Sequence, residues 1–412
     1  MKWEKIFRQG LTAFLTAILL LNAAIVGSTV EIFDGIGQYI MSDFENHDIA
    51  KQRAQQRAER DAQKKAGVAL KTFSRSINSE LTDDEILAVT NNIIKVSDVE
   101  IVPVPFEAEG EAGLMYRATL KATIDTDGIY AWIKRDDKEK VAILNQNNEL
   151  QDAIAKNDKQ VEDLKEKYNR ATSQSEKDKI RQQMNDADRD FLANQKREEG
   201  LKLYYKRNFA DAIKYFNEAI NLNPNFDWAY ISRGNAYYYS RQYERAIQDY
   251  DKAIQINPNN ATAYYNRGNV YFYSNQYSQA IPYYDKAIQL NSNFGSAYNN
   301  RAISYANLGQ YNRAFQDYNK AIQLNPNDAE AYYNRGTDYC RLKQYNLAIQ
   351  DLNTAIQINP NDADYYTNRG AVYYFLGQYN QAISDAKKAI QINPNHVKAH
   401  RLRNLCYQAL GK

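Results

Sequence analysis

Residues 227–260 read DWAYISRGNAYYYSRQYERAIQDYDKAIQINPNN, and residues 261–294 read ATAYYNRGNVYFYSNQYSQAIPYYDKAIQLNSNF. The second line repeats the first in register, at a period of 34 residues. Counting Asp227 as place one, tyrosine recurs at place four (Tyr230, Tyr264, Tyr298, Tyr332, Tyr366) and glycine at place eight (Gly200, Gly234, Gly268, Gly336, Gly370), with Ala302 once. An aromatic recurs at place eleven (Tyr237, Tyr271, Tyr305, Tyr339, Tyr373), with Leu203 in the first copy. Alanine holds place twenty from Ala212 to Ala382 and place twenty-seven from Ala219 to Ala389. Prolines close the copies at Pro224, Pro258, Pro326, Pro360 and Pro394, with Ser292 standing in once. A fixed period of this size predicts a solenoid, in which each unit buries its apolar face against its neighbours. Glycine and alanine at the three small places allow two antiparallel helices to touch backbones. The residue before each proline is pushed out of helical geometry and ends the second helix.

Six copies fit between Ala193 and Pro394, and Val397–Leu410 repeats only the first helix, as a terminal cap with Arg401, Arg403 and Asn404 turned to water. The pattern resembles the tetratricopeptide repeat family. The resemblance implies a mainly α protein, an α–α superhelix, with its inner groove lined by places two, five, six, nine, twelve and thirteen of each first helix. Here those places supply Trp228, Asn235, Tyr238, Tyr239, Tyr265, Asn266, Asn269, Phe272, Tyr273, Asn300, Tyr333, Asn334, Asn368, Tyr374 and Phe375. Tyrosine and asparagine combine rigid apolar area with adaptable hydrogen bonding, the chemistry of peptide recognition. About half of these aromatics are equally well read as packing between repeats. Family members that clamp a terminal carboxylate carry lysine or arginine at places two and six. Thr262, Asn266, Ser296, Asn300, Glu330, Asn334, Asp364 and Asn368 occupy those places here, so that clamp is not expected.

Two departures stand out. Arg233, Arg267, Arg301, Arg335 and Arg369 fill place seven, and Asp249, Asp317, Asp351 and Asp385 fill place twenty-three. Recurrence of both partners predicts a ladder of Arg–carboxylate pairs within the scaffold rather than an anion-binding strip. Pro282, near the start of a second helix, reads as a tolerated bend.

Upstream, residues 29–131 read as a small α+β domain. Val30–Phe33 predicts a strand, punctuated by Gly35 and Gly37. Alanines 50, 54, 58, 62 and 66, four apart, predict a helix whose one face approaches a sheet closely. Thr82 with Glu85 forms a capping box for a second helix, and Val96–Phe106 and Leu114–Ile124 predict two further strands. The segments DGIGQY, KQRAQQRAERDAQKKAG and YRATLKATID resemble the N-terminal domain of the flagellar T-ring assembly protein and its relatives among envelope lipoproteins. That resemblance implies an exported envelope module used in assembly. The lipid-bearing cysteine of the lipoprotein members is missing.

Residues 132–189 turn charged and rich in Gln and Asn. Ile143, Leu150, Ile154, Val161, Leu164, Tyr168 and Ala171 follow the steps of a coiled-coil seam, weakened by Asn147 and Asn157. The expectation is a solvated helical spacer or folded-back hairpin, weighed against homodimerisation through the seam. Ser175 in SEKD is the expected cap of a second helix.

Lys2, Lys5 and Arg8 precede an apolar run, Leu11–Val26, then Gly27 and Ser28. This order predicts an export signal over residues 1–28, cleaved or retained as a membrane anchor, and a periplasmic or secreted protein. Charge excludes bulk attraction to nucleic acid: 52 basic against 50 acidic side chains give +2. Two cysteines, Cys340 and Cys406, make neither a disulfide framework nor a metal spacing. His396 and His400 lack a third metal ligand nearby, and Gly35-Ile36-Gly37 lacks the rest of a nucleotide fingerprint. No catalytic constellation and no cofactor is expected. The expected role is a non-enzymatic scaffold for an extended peptide or partner protein; the alternatives are a glycan-binding envelope protein or an assembly factor of an envelope machine such as the flagellum.

Overall fold

A computed structural model describes residues 30–41, 45–76, 81, 86, 89–90, 94–108, 111–124 and 137–411. The expected export signal at 1–28, the expected capping box at 82–85 and Trp132 lie outside the described residues. The chain divides into two compact units, Met1–Ser232 and Arg233–Lys412.

In the first unit, β1 (Val30–Met41), β2 (Ile94–Ala108) and β3 (Glu111–Ile124) form an antiparallel sheet in the order β1-β3-β2. The alternation in β3 holds: Tyr116, Ala118, Leu120 and Ala122 are buried, while Arg117 and Lys121 are exposed. Helix α1 (His47–Ser76) lays Ala50, Ala54, Ala58 and Ala62, all fully buried, on that face. Gly35 and Gly37 do not punctuate the chain as expected; β1 continues through both to Met41. A methyl group on Gly37 would overlap Ala54 O and Ala58 N. On Gly35 it would overlap Ala58 O and lie 2.9 Å from Leu120 Cδ1. These glycines are therefore the sheet's half of the contact whose other half is the alanine stripe.

The opposite side of α1 is polar and meets a hairpin of α2 (Asp137–Arg170) and α3 (Gln174–Tyr205). The α2 seam is legible as predicted, but it closes on the same chain. Val161, Leu164 and Ala171 pack with Ile180, Met184 and Ala187 of α3. The folded-back hairpin is thus the form observed, and the stripe a dimer seam would have used is covered. Ser173, two residues before the expected cap, is the N-cap of α3 and accepts from Glu176 N at 3.3 Å. The expected boundary at 189/190 falls inside α3, which runs unbroken because Met184, Phe191 and Leu201 keep one buried face and no proline interrupts it.

Polar bonds join this hairpin to α1 and the sheet. Arg53, 1% exposed, donates to Asn157 Oδ1 (3.0 Å) and Asp188 Oδ1 (3.2 Å) and lies 4.3 Å over the Phe191 ring. Lys165 donates to Tyr39 OH (2.9 Å) and Ile40 O (2.7 Å) and pairs with Glu45 (3.1 Å). Tyr39 OH in turn donates to Glu45 Oε1. Burial pushes the Tyr39 phenol up, helped by the Glu45 charge, and pushes the Lys165 ammonium down. The end of α3 and α4 (Phe209–Leu222) form the first repeat hairpin, with Gly200 against the Phe216 ring.

The second unit begins within α5 (Asp227–Tyr239) and continues with α6 (Tyr243–Ile256). Three more hairpins follow as α7 (Ala261–Tyr273) with α8 (Tyr277–Leu290), α9 (Gly295–Asn307) with α10 (Tyr311–Leu324), and α11 (Ala329–Arg341) with α12 (Tyr345–Ile358). The last is α13 (Ala363–Phe375) with α14 (Tyr379–Ile392), capped by α15 (Val397–Ala409). The hairpins stack as a superhelix of the expected fold class. Place-twenty and place-twenty-seven alanines are fully buried throughout. Each second helix ends at an asparagine (Asn257, Asn291, Asn325, Asn359, Asn393) with ψ near 90–98°. The side chain of that asparagine accepts from the N–H two residues on, for example Asn259 N to Asn257 Oδ1 at 3.1 Å. α8 continues through Pro282.

The arginine ladder is present and reaches further than expected. Arg301 grips Asp317 with two bonds of 2.7 Å and also donates to Asp285 of the preceding hairpin at 2.6 Å. Arg335 and Arg369 repeat the arrangement on Asp351 and Asp385, reaching back to Asn319 and Asn353. Each such arginine therefore ties both helices of its own hairpin and the hairpin before. Arg267 departs, because Tyr283 stands where its aspartate would be: it pairs with Asp251 at 2.7 Å and lies 4.5 Å over the Tyr283 ring.

Candidate functional site

The candidate residues of the second unit lie on its first helices, which touch one another along one face. What joins them is a run of side-chain amides. Asn266 at place six donates to Asn235 at place nine of the preceding repeat (3.0 Å), and Asn300 does the same to Asn269 (3.0 Å). Asn368 keeps the register by donating to Thr337 Oγ1 (3.0 Å). Ile303 cannot accept, so Asn334 turns instead to Asn299 (3.3 Å). Asn235 and Asn300 are 7% and 2% exposed. Residues expected to reach a guest thus hold successive repeats in register, and the buried pair is removed from the candidate contact surface. A carbonyl accepting two bonds inside a helix contact is costly to replace, which accounts for the recurrence of asparagine.

Tyrosines at place twenty-four complete the ladder from below. Tyr250 OH donates to Asn235 Oδ1 (2.7 Å) and Tyr284 OH to Asn269 Oδ1 (2.8 Å). In the fourth repeat, Ala302 replaces glycine and Ile303 replaces asparagine. Tyr318 OH there donates across to Asp338 Oδ2 of the next repeat (2.8 Å). Asp338 is 2% exposed, at place ten, where the first repeat carries Lys202 and the other four carry Ala236, Val270, Ser304 and Val372. Burial raises its carboxyl, against the pull of the Tyr318 hydroxyl and Arg341, which donates to it at 2.8 Å. Asp338, Arg341, Thr337 and Asn299 were missed in the sequence; an aspartate at a place that is small or apolar in four of the other five repeats was the signal available.

The aromatics separate into packed and accessible sets. Phe272 is 9% exposed, against Tyr284 and Tyr277, and so belongs to the core. Tyr265 packs tilted against Phe294 with ring centroids 4.7 Å apart, and Tyr333 against Tyr365 at 5.0 Å. Burial, with Asp364 and Asp362 nearby, pushes the Tyr333 phenol up to about 12. Place thirteen is the open rail: Tyr239, Tyr273 and Phe375 are 39%, 49% and 60% exposed. Tyr238 braces the first two, with ring centroids 5.2 Å from Tyr239 and 6.1 Å from Tyr273. Tyr345 stacks on Phe375 at 6.1 Å, and Tyr374 contacts both Phe375 and Tyr379. Between these two patches place twelve supplies Cys340, half-buried, with its thiol raised by burial. Trp228, in the first unit, is half-buried with the Arg197 guanidinium 5.5 Å from its ring.

The two histidines do local work. His396 is the N-cap of α15, accepting from Ala399 N at 3.2 Å with Nε2 3.2 Å from Asp364, and His400 Nε2 lies 2.8 Å from Pro394 O. Among the described residues no cluster of three metal-ligating side chains occurs.

Family models for tetratricopeptide repeats match residues 203–226, 234–273, 261–294, 295–328, 317–350, 336–377 and 363–396. These are tetratricopeptide repeats. A search of the curated proteins finds no match. Among solved structures, the chain is similar to YrrB, described as a tetratricopeptide protein with an unusual peptide-binding site. The identity is 28%, over 46% of this chain and 97% of that one, at a TM-score of 0.39. It is also similar to MamA (25% identity, 39% of this chain and 94% of that one, TM-score 0.36) and to PilF of Pseudomonas aeruginosa (16%, 53% and 99%, TM-score 0.48).

Proposed function

We propose that the tetratricopeptide repeats form a non-enzymatic docking surface for an extended peptide or an extended segment of a partner protein, seated on the first helices of the second unit. The observation that carries this reading is the exposed rail of Tyr239, Tyr273 and Phe375 standing on a backbone-like ladder of bonded asparagines. Large aromatics presented at low entropic cost on a rigid base are the features of a recognition surface. Glu330 and Asp364 hold place two of the later first helices, where carboxylate-clamping repeats would carry cations, and Asp362 is the N-cap just before one of them. A guest with basic side chains suits that end better than a free carboxylate.

Export to the cell envelope is the setting we propose, supported by the order of Lys2, Lys5, Arg8, the apolar run and Ser28. Among the described residues no helix is long and apolar enough to cross a membrane. An assembly role in an envelope machine is supported only by the likeness of the N-terminal segments. The peptide reading is tested by screening immobilised peptide and cell-wall-fragment arrays with the full chain and with Tyr273→Ser/Phe375→Ser. Peptide spots lost by the variant at unchanged helicity support it. Retention on sugars alone, or equal peptide binding by the variant, overturns it.

A further inference from the structure

A second candidate site lies away from the repeat face, in the first unit. Between α1 and α3 is a cavity of about 170 Å3, many times the ~10–15 Å3 that one water requires. Gln55, Gln56 and Glu59 of α1 line one side; Lys196, Glu198 and Glu199 of α3 line the other.

The charges of this lining do not balance. Lys196 is paired with Glu218, outside the lining. Lys202 pairs with Glu198 (3.3 Å) and Glu199 (3.0 Å) and, among the described residues, is the remaining cation near Glu59. One ammonium therefore serves three carboxylates. Among the described residues Glu59 receives a single neutral donor, Gln55 Nε2 at 2.9 Å, and burial pushes its carboxyl up, with Glu198 and Glu199 adding to the rise against Lys202. Gln56 is 6% exposed; its Oε1 accepts from Arg60 Nη2 (2.8 Å), and its Nε2 has no acceptor among the described residues. An unmatched donor in a buried wall and the desolvated Glu59 carboxylate beside it are each costly when left uncompensated.

We propose that this cavity binds a small organic amine that also carries hydroxyl or carbonyl oxygen, up to about the size of an amino sugar. The ammonium would sit between Glu59 and Glu199, and an oxygen would accept from Gln56 Nε2. Such a ligand supplies the missing charge and the missing acceptor together, and it bridges the α1 module to the helix that opens the first repeat. An inorganic cation would supply only the charge, and a neutral sugar only the acceptor.

Calorimetric titration of the full chain with ethanolamine and glucosamine, each against its neutral twin, ethylene glycol and glucose, tests this at constant ionic strength. Saturable one-to-one binding of an amine, at least tenfold tighter than its twin, is expected. Glu59→Gln should weaken it at least tenfold, whereas Glu166→Gln, exposed on α2 and paired with Arg170, should leave it unchanged. Circular dichroism checks folding of the Glu59 variant; Gln56→Leu provides an independent second variant, expected to weaken amine binding several-fold. Absence of binding, equal binding of amine and neutral twin, or unchanged affinity in the Glu59 and Gln56 variants overturns the proposal.

Discussion

The place-eight glycines make a sharp test of how the repeats are held together. In Gly234→Ala the new methyl would meet Tyr250 Cε1 at 2.7 Å, Cδ1 at 3.1 Å and Cζ at 3.2 Å. Tyr250 is 1% exposed, clustered with Ala246 and Val270, so its ring cannot turn into water. Replacing a mid-helix glycine by alanine is worth about 1 kcal/mol of stabilisation on propensity alone. Against this stand about 1–3 kcal/mol of overpacking and about 1–2 kcal/mol for the Tyr250–Asn235 bond that a shifted ring gives up. The expected result is a net loss of about 1–4 kcal/mol. Gly336→Ala is the matched control. There the neighbours are Asp351 Cβ (3.1 Å), Leu352 Cγ (3.2 Å) and Ala348 O (3.3 Å), and no buried hydroxyl is displaced. Its loss should be smaller than that of Gly234→Ala. Urea unfolding followed by circular dichroism measures both, and the double variant Gly234→Ala/Tyr250→Leu should recover part of the loss by making room for the methyl. Repeat arrays unfold in linked steps, so midpoints are compared within one transition. If Gly234→Ala is neutral or stabilising, the close-approach reasoning is refuted.

Three further outcomes are expected. Arg301→Met strands the buried Asp317 carboxylate and should cost about 2–3 kcal/mol, discounted from the about 3–5 kcal/mol of a fully buried pair; Arg267→Met, with only an accessible aspartate and a ring, should cost under about 1 kcal/mol. Urea midpoints rank the two, and equal losses would contradict the ladder. Asp338 has its folded-state carboxyl raised, so the native form binds a proton more tightly than the unfolded chain. Its contribution to stability therefore falls as pH rises from the ordinary carboxylate value through the raised one, then levels off. Asp338→Asn should flatten that segment of the stability–pH curve, measured by thermal melts across it; an unchanged slope would remove this account. Cys340 lines the proposed docking face and Cys406 is fully buried. Native alkylation should label Cys340 alone, slowly, and an occupying peptide should protect it; labelling unaffected by bound peptide would displace the guest from place twelve.

How much of this was legible in the sequence differed by the kind of contact. Helix-on-helix packing was readable because each small residue recurs at a place whose only function is proximity, as at Ala246, Ala280 and Ala314. The alanine stripe of α1 was readable for the same reason. Gly35 and Gly37 were not, because glycine in a strand and glycine in a turn look alike until the helix that needs the room is known. The α2 seam was visible while its partner was not, since an apolar stripe does not state whether its cover comes from the same chain. The asparagines were correctly placed on the first helices but assigned to a guest. Side-chain amides 31 residues apart, such as Asn235 and Asn266, become a bonded pair only once the stacking offset is fixed. Arg53 was not singled out at all: its partners, Asn157 and Asp188, are more than a hundred residues away and share no local pattern with it.

The central claim is that an extended guest lies across place thirteen of the first helices. Its most direct measurement is isothermal titration of an array-selected peptide into the wild-type chain, Tyr273→Ser and the second-helix control Tyr283→Phe. The account predicts at least a tenfold loss of affinity in Tyr273→Ser, wild-type affinity in the control and identical melting for Tyr273→Ser and wild type. Undiminished affinity in Tyr273→Ser, with peptide protection mapped to the second helices, would contradict it.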